Sequence, residues 1–175
     1  MLRLFSFYFI FIFLNSFDST SQQLTNIPDD NFEQHLINIG VDDILDDYVL
    51  TSNISSLTSL QLAVGDNIIG IEDFTSLDYL RLEGSGGNET ISAIDLSQIN
   101  WVSEITIYAI STLTDLILPQ NNSSLEYLNI NSNTNLSSIL LPSINSSLTH
   151  LNINSNAINS IDLTNQQNLY YLNLQ

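Results

Sequence analysis

Apolar residues return along this chain in a single phrase, two residues apart after a gap of three. Its copies are Leu57-x-x-Leu60-x-Leu62, Leu77-x-x-Leu80-x-Leu82, Val102-x-x-Ile105-x-Ile107, Leu125-x-x-Leu128-x-Ile130, Leu148-x-x-Leu151-x-Ile153 and Leu169-x-x-Leu172-x-Leu174. The closing alternation has period two, which predicts a short strand with its leucines on one face. A second phrase lies between copies: Ile91-x-x-Ile94-Asp95-Leu96, Leu113-x-x-Leu116-x-Leu118, Leu136-x-x-Ile139-x-Leu141 and Ile158-x-x-Ile161-Asp162-Leu163, with a forerunner in Ile68-x-x-Ile71. Both edges of each unit therefore read as extended. Helices of about ten or more residues have little room in such a unit, so the connections are expected to be turns or single 3₁₀-like coils.

The steps from copy to copy are 20, 25, 23, 23 and 21 residues, the period of a leucine-rich repeat solenoid. One coil cannot bury its apolar edge alone, so coils stack and their strands form a parallel sheet. The expected fold is a leucine-rich repeat solenoid of the α/β superhelix class, here β-rich, with a short N-terminal helical cap and no long convex helices. Residues 57–175 supply about five repeats. The last breaks off after Leu174 in mid-repeat, which would leave an apolar coil uncapped and predicts that the natural protein continues beyond Gln175.

Residues 22–56 do not carry the phrase and read as the cap. Asp30-Asn31-Phe32-Glu33 has the form of a capping box, with Asp30 accepting from first-turn amides and Glu33 reaching back. Phe32, Leu36, Ile37 and Ile39 fall near helical spacing and Gly40 is a stop, which predicts a helix at about 29–39. Ile44 and Leu45 are expected in the core of the cap.

Residues 1–21 begin with Arg3 and an apolar run from Leu4 to Leu14. That run is too short for a hydrocarbon layer of about 30 Å and fits the apolar stretch of a secretory signal peptide, with Ser19, Thr20 and Ser21 suited to cleavage. The mature domain is expected outside the cytoplasm and without membrane insertion. Cleavage removes Arg3 together with Asp18, so the formal charge of −17 is unchanged.

Alternation also says what each strand displays. One outward column holds Ser59, Tyr79, Glu104, Tyr127, His150 and Tyr171, and a second holds Gln61, Arg81, Thr106, Asn129, Asn152 and Asn173. Aromatic groups give large contact area at low entropic cost, so Tyr79, Arg81, Glu104, Thr106, Tyr127, Asn129, His150, Asn152, Tyr171 and Asn173 are the candidate ligand-binding face. A purely structural ladder of cross-strand pairs is the competing reading. Asn133 and Asn156 follow their strands by three residues and are expected to bond backbone groups of neighbouring coils. Gly65, Ser85 and Ile110 occupy the equivalent places, so this asparagine ladder is incomplete. Ile117 and Leu140, outward in the second phrase, are expected to be buried beneath a convex loop.

Charge narrows the partners. Two basic residues stand against 19 acidic ones, with no lysine, which excludes a nucleic-acid partner because such affinity needs cations on phosphates; it also disfavours an anionic membrane surface. The absence of cysteine removes disulfides, thiolate metal sites and a cysteine nucleophile. The acidic stretch Asp42–Asp47 lacks the glycine and terminal glutamate of a calcium loop and reads as a solvated turn. His35 and His150 belong to no nucleophile motif, adjacent Glu72 and Asp73 would face opposite ways in a strand, and Gly84-Ser85-Gly86-Gly87 precedes no helix signal. No catalytic residue, metal or cofactor is assigned, and an enzyme is not expected.

The cap residues Ile27-Pro28-Asp29-Asp30-Asn31-Phe32-Glu33 through Gly40, Asp42–Asp47, Val49-Leu50-Thr51, then Gly70-Ile71-Glu72-Asp73-Phe74 and the two Ile-Asp-Leu phrases, resemble the secreted leucine-rich repeat proteins of bacteria, broadly the internalin-like surface families. The resemblance covers nearly everything after residue 21. It implies an extracellular domain, not built around calcium, devoted to protein–protein contact or adhesion. The chain departs from the pattern where repeats lack the asparagine and where Leu118-Pro119 and Leu141-Pro142 replace Asp-Leu. The expected function is recognition of a protein through the outward face. The alternatives are the targeting or scaffold portion of a larger secreted enzyme, a carbohydrate-binding surface protein whose tyrosines stack on sugar rings, and a structural spacer.

Overall fold

The computed structural model describes residues 22–143 and 147–175; the expected signal segment, 1–21, lies outside the described residues. Each copy of the phrase supplies one strand: β3 (Ser59–Val64), β4 (Tyr79–Gly84), β6 (Glu104–Tyr108), β8 (Tyr127–Asn131), β9 (His150–Asn152) and β10 (Tyr171–Asn173). They pair in parallel in that order to form a six-stranded sheet. The register aligns Leu60, Leu80, Ile105, Leu128, Leu151 and Leu172 across it. Register is held because a slip of one residue would turn every leucine outward. All these positions are buried down to Leu151, whereas Leu172 and Leu174 are exposed. The chain is a repeat solenoid.

The second phrase forms strands only in part. β5 (Ala93–Asp95) and β7 (Asp115–Ile117) pair in parallel, and the forerunner becomes a 3₁₀ turn at Ile71–Asp73. The equivalent stretches 136–141 and 158–163 are not strands, although Leu136 and Leu141 are buried. Pro142 has no N–H for a ladder. There the Gln120 side chain takes over, its Nε2 donating to the carbonyls of Leu118 and Leu140 at 3.1 and 3.3 Å. Ile117 and Leu140 are 51% and 68% exposed, against the expectation of burial, since they stand on the outward side of an edge that no described residue covers.

The cap contains more than a helix. β1 (Leu24–Asn26) and β2 (Tyr48–Leu50) pair antiparallel, around α1 (Asp30–Asn38), and a short α2 (Thr51–Ile54) leads into the first coil. The N-cap is Asp29 rather than Asp30: its carboxylate accepts from the amides of Asn31 and Phe32. Glu33 does not close a capping box. It is fully buried and accepts instead from the amides of Asp46 and Tyr48, both at 3.0 Å, pinning the acidic loop to the helix. This hold from the inside leaves Ile44 and Leu45 on the outer turn, exposed rather than in the core. Phe32 and Leu36 face inward, and Phe32 stacks on Phe74 of the first coil with ring centroids 5.7 Å apart.

Candidate recognition face

Six strands in register set the outward side chains in columns, with neighbours in one column about 4.8 Å apart, the strand spacing. Ser59, Tyr79, Glu104, Tyr127, His150 and Tyr171 are Cα partners, as are Gln61, Arg81, Thr106 and Asn129, with Asn152 and Asn173 continuing that row. The longer strands add a third column that the phrase, ending on its last leucine, does not announce: Ala63, Glu83, Tyr108 and Asn131. Following the alternation two residues further would have found it.

The two ends of the face differ in chemistry. Toward the N-terminal side Arg81 donates through Nε to Glu83 at 2.9 Å and lies with its guanidinium carbon 5.3 Å from the Tyr108 ring centre. The hydrogen bond to Glu83 pushes the Arg81 pKa up. Arg81 is therefore already engaged, and it is the one lysine or arginine among the described residues. Thr106, expected on display, is 3% exposed: it is a short side chain whose register neighbours are the longer Arg81 and Asn129.

Toward the other end the rings of Tyr127 and His150 stack at 4.4 Å and 17°, and those of His150 and Tyr171 at 5.8 Å and 23°. Tyr170 meets His150 edge-on at 5.7 Å. Such parallel stacking follows from placing flat side chains in adjacent strands in register. The Thr149 hydroxyl sits 2.8 Å from His150 Nδ1 and fixes the imidazole beside the tyrosines. Beside the rings the amides are engaged locally. Asn131 donates to Asn129 Oδ1 at 2.7 Å, and the Asn152 and Asn173 oxygens accept from backbone amides two residues on. A shallow cavity of about 210 Å³ runs between these columns, lined among others by Glu104, Tyr127, Asn129, His150, Asn152 and Tyr171.

Behind the face, Asn133 is fully buried. Its Oδ1 accepts from the Ile110 amide at 3.0 Å and its Nδ2 donates to the Ile107 and Asn131 carbonyls at 3.1 Å. Asn156 repeats the motif one coil later, donating to the carbonyls of Ile130 and Ile153 while accepting from the Asn133 amide. Both act on backbone across coils, and neither reaches the strand face.

Where asparagine is missing, a different residue closes the turn. Glu89, buried in the loop after β4, accepts from the Ser85 hydroxyl and the Gly87 amide on one oxygen and from the Ser111 hydroxyl and amide on the other. Hydrogen bonds from its own amide, Gly87 and Ser111 lower its pKa from 4.5 to about 2, outweighing burial. Nothing in the sequence marks it, because its partners come from two coils. Since the folded pKa is depressed, the stabilisation from ionised Glu89 is complete above its ordinary value and fades as pH falls from 4.5 toward about 2. Glu89→Gln is therefore expected to lower the melting temperature at neutral pH and much less near about pH 3. A difference that stays constant over that range would contradict this role.

Neither the cap carboxylates nor any others converge on a metal geometry: among the described residues no group of three His, Asp or Glu could hold an ion. No described helix is long and apolar enough to cross a membrane.

No protein-family model matches this chain, and no curated protein matches it. Among solved structures it is similar to the functional domain of InlJ from Listeria monocytogenes, which includes a cysteine ladder, at 18% identity and a TM-score of 0.37, over 87% of this chain and 48% of that one. The chain thus spans about half the length of that structure. The fold assigned here stands on the strand register described above.

Proposed function

We propose that this chain is a non-enzymatic recognition module that works outside the cytoplasm and binds a protein, in adhesion or protein–protein contact, through the outward face of its six-stranded sheet. The observation that carries this reading is the column in which Tyr79, Tyr127, His150 and Tyr171 stand in register on a supported sheet, with Tyr127 and Tyr171 42% and 46% exposed. Rigid aromatic side chains on a preformed surface contribute contact area without a large ordering cost. The internalin-like resemblance of the cap and phrases points the same way.

A carbohydrate ligand is the weaker reading. A sugar packs on the flat face of an aromatic ring, and here His150 is sandwiched between Tyr127 and Tyr171, so each tyrosine keeps one face at most, whereas a protein partner can also use the amides beside the rings.

The test is the triple variant Tyr79→Ser, Tyr127→Ser, Tyr171→Ser, assayed for cross-linked capture of extracellular proteins and for thermal unfolding. Loss of central aromatic anchors is expected to weaken capture about thirtyfold, with a stability loss of about 1–2 kcal/mol from the missing cross-strand pairs. Reduced stability with capture intact would reject the recognition reading in favour of a structural ladder.

A further inference from the structure

Glu104 occupies an unusual place on the strand face. It stands in the aromatic column between Tyr79 and Tyr127, half-exposed, and among the described residues no hydrogen bond or ion pair reaches its carboxylate. The one arginine or lysine nearby, Arg81, is committed to Glu83 and Tyr108. Tyr127 is covered on one side by His150 at 4.4 Å. Its other side faces the strand that carries Glu104, and both residues line the same shallow cavity.

We propose that the Glu104 carboxylate and the Tyr127 ring, on its side away from His150, together form an anchor for a cationic side chain, an arginine, of a protein partner. A guanidinium fits both halves. It donates two parallel hydrogen bonds to a carboxylate and lies flat on an aromatic ring, attracted by the ring quadrupole. The rest of the molecule favours the same ligand: a chain of formal charge −17 draws cations toward its surface and repels acidic groups. Glu126, exposed at the start of the strand that carries Tyr127, adds to this local field. The Asn129 and Asn152 amides along the cavity are neutral and place no positive charge against the arginine.

This inference rests on the strand face being the recognition surface, and a separate probe tests it. The isotopically labelled protein is titrated with the peptide acetyl-Gly-Arg-Gly-amide and, in parallel, with its citrulline counterpart, which has the same shape and no charge, while backbone amide shifts are followed by NMR. Saturable shifts are expected at Ile105, Tyr127 and Leu128 for arginine and not for citrulline. Glu104→Gln is expected to weaken arginine binding about fivefold and Tyr127→Leu about threefold, while Glu126→Gln, which removes field but no contact, changes it by less than about twofold. Raising salt should weaken the arginine complex. Equal shifts with citrulline, an unchanged affinity in Glu104→Gln, or shifts centred on the acidic turn at Asp42–Asp47 would overturn the assignment. If Tyr127→Leu unfolds, Glu104→Gln alone decides, because it is a neutral replacement of the same shape at a half-exposed position. The triple tyrosine variant keeps Glu104. Capture lost in that variant, with no arginine binding in the parent, removes the anchor and leaves the recognition face standing; capture retained there removes the face itself.

Discussion

Asp29→Ala is expected to reduce the unfolding free energy by about 4 kcal/mol, far beyond the ~1 kcal/mol typical of an ordinary N-cap. One carboxylate oxygen caps α1 through the amides of Asn31 and Phe32, both at 2.9 Å, while the other accepts from Asp66 and Asn67 at 2.5 and 3.0 Å in the turn after β3. Asp29 is buried, so alanine would leave four amides facing a space that water enters poorly, and unmet buried donors are costly. The turn is built around this approach: a Cβ on Gly65 would stand 2.7 Å from one Asp29 oxygen and against the Asn31 side chain. Urea unfolding followed by circular dichroism gives the magnitude, and amide hydrogen exchange gives the location. Protection is expected to fall at Asn31, Phe32, Asp66 and Asn67 together. A loss below about 1 kcal/mol, confined to α1, would mean that the bridge to the first coil carries nothing.

Asn133→Ala is expected to cost about 3 kcal/mol, and Asn156→Ala about half as much. The first deletion strands the buried Ile110 amide and the Ile107 carbonyl at once, and it removes a side chain that is fully enclosed. Asn156 makes the same kinds of bond from a half-buried position, where water can replace part of what is lost. The two are coupled, because the Asn133 side chain donates through Nδ2 to Asn156 Oδ1 at 3.3 Å. The double variant is therefore expected to lose less than the sum of the singles, by about 0.5–1 kcal/mol. Equal losses in the two single variants would show that burial does not set the size of the effect.

The strand stack is legible in the sequence because period two with one buried face leaves a single register, so the positions of the outward columns follow directly. Exposure does not follow with the same certainty: Thr106 sits in a displayed column between longer neighbours and is buried. The cap is legible as a helix near residue 30 but not as a joint. Asp29 bonds residues 37 and 38 positions away, a relation that no local pattern encodes, so Asp30 offers itself as the cap by spacing alone. Ile44 and Leu45 mislead for the same reason, since the loop that carries them is held by the Glu33 carboxylate from the inside and not by its own apolar side chains. The second phrase overstates its strands because apolar spacing reports burial and not a backbone ladder; at 136–141 the ladder also meets Pro142, which supplies no donor. Glu104 is visible as a residue in a column, but its solitude depends on where Arg81 points.

The stacked rings on the strand face turn the solenoid into its own strain gauge. Adjacent parallel strands lie about 4.8 Å apart, while the ring centres are separated by 4.4 Å at the first step and 5.8 Å at the second, so ring spacing departs from strand spacing in opposite senses at consecutive steps. Bending or stretching the coil stack alters ring overlap before any strand pair breaks, and coupled aromatic transitions change with that overlap in the near-ultraviolet. The outward face would thereby report, optically and without a label, how far tension deforms the scaffold behind it.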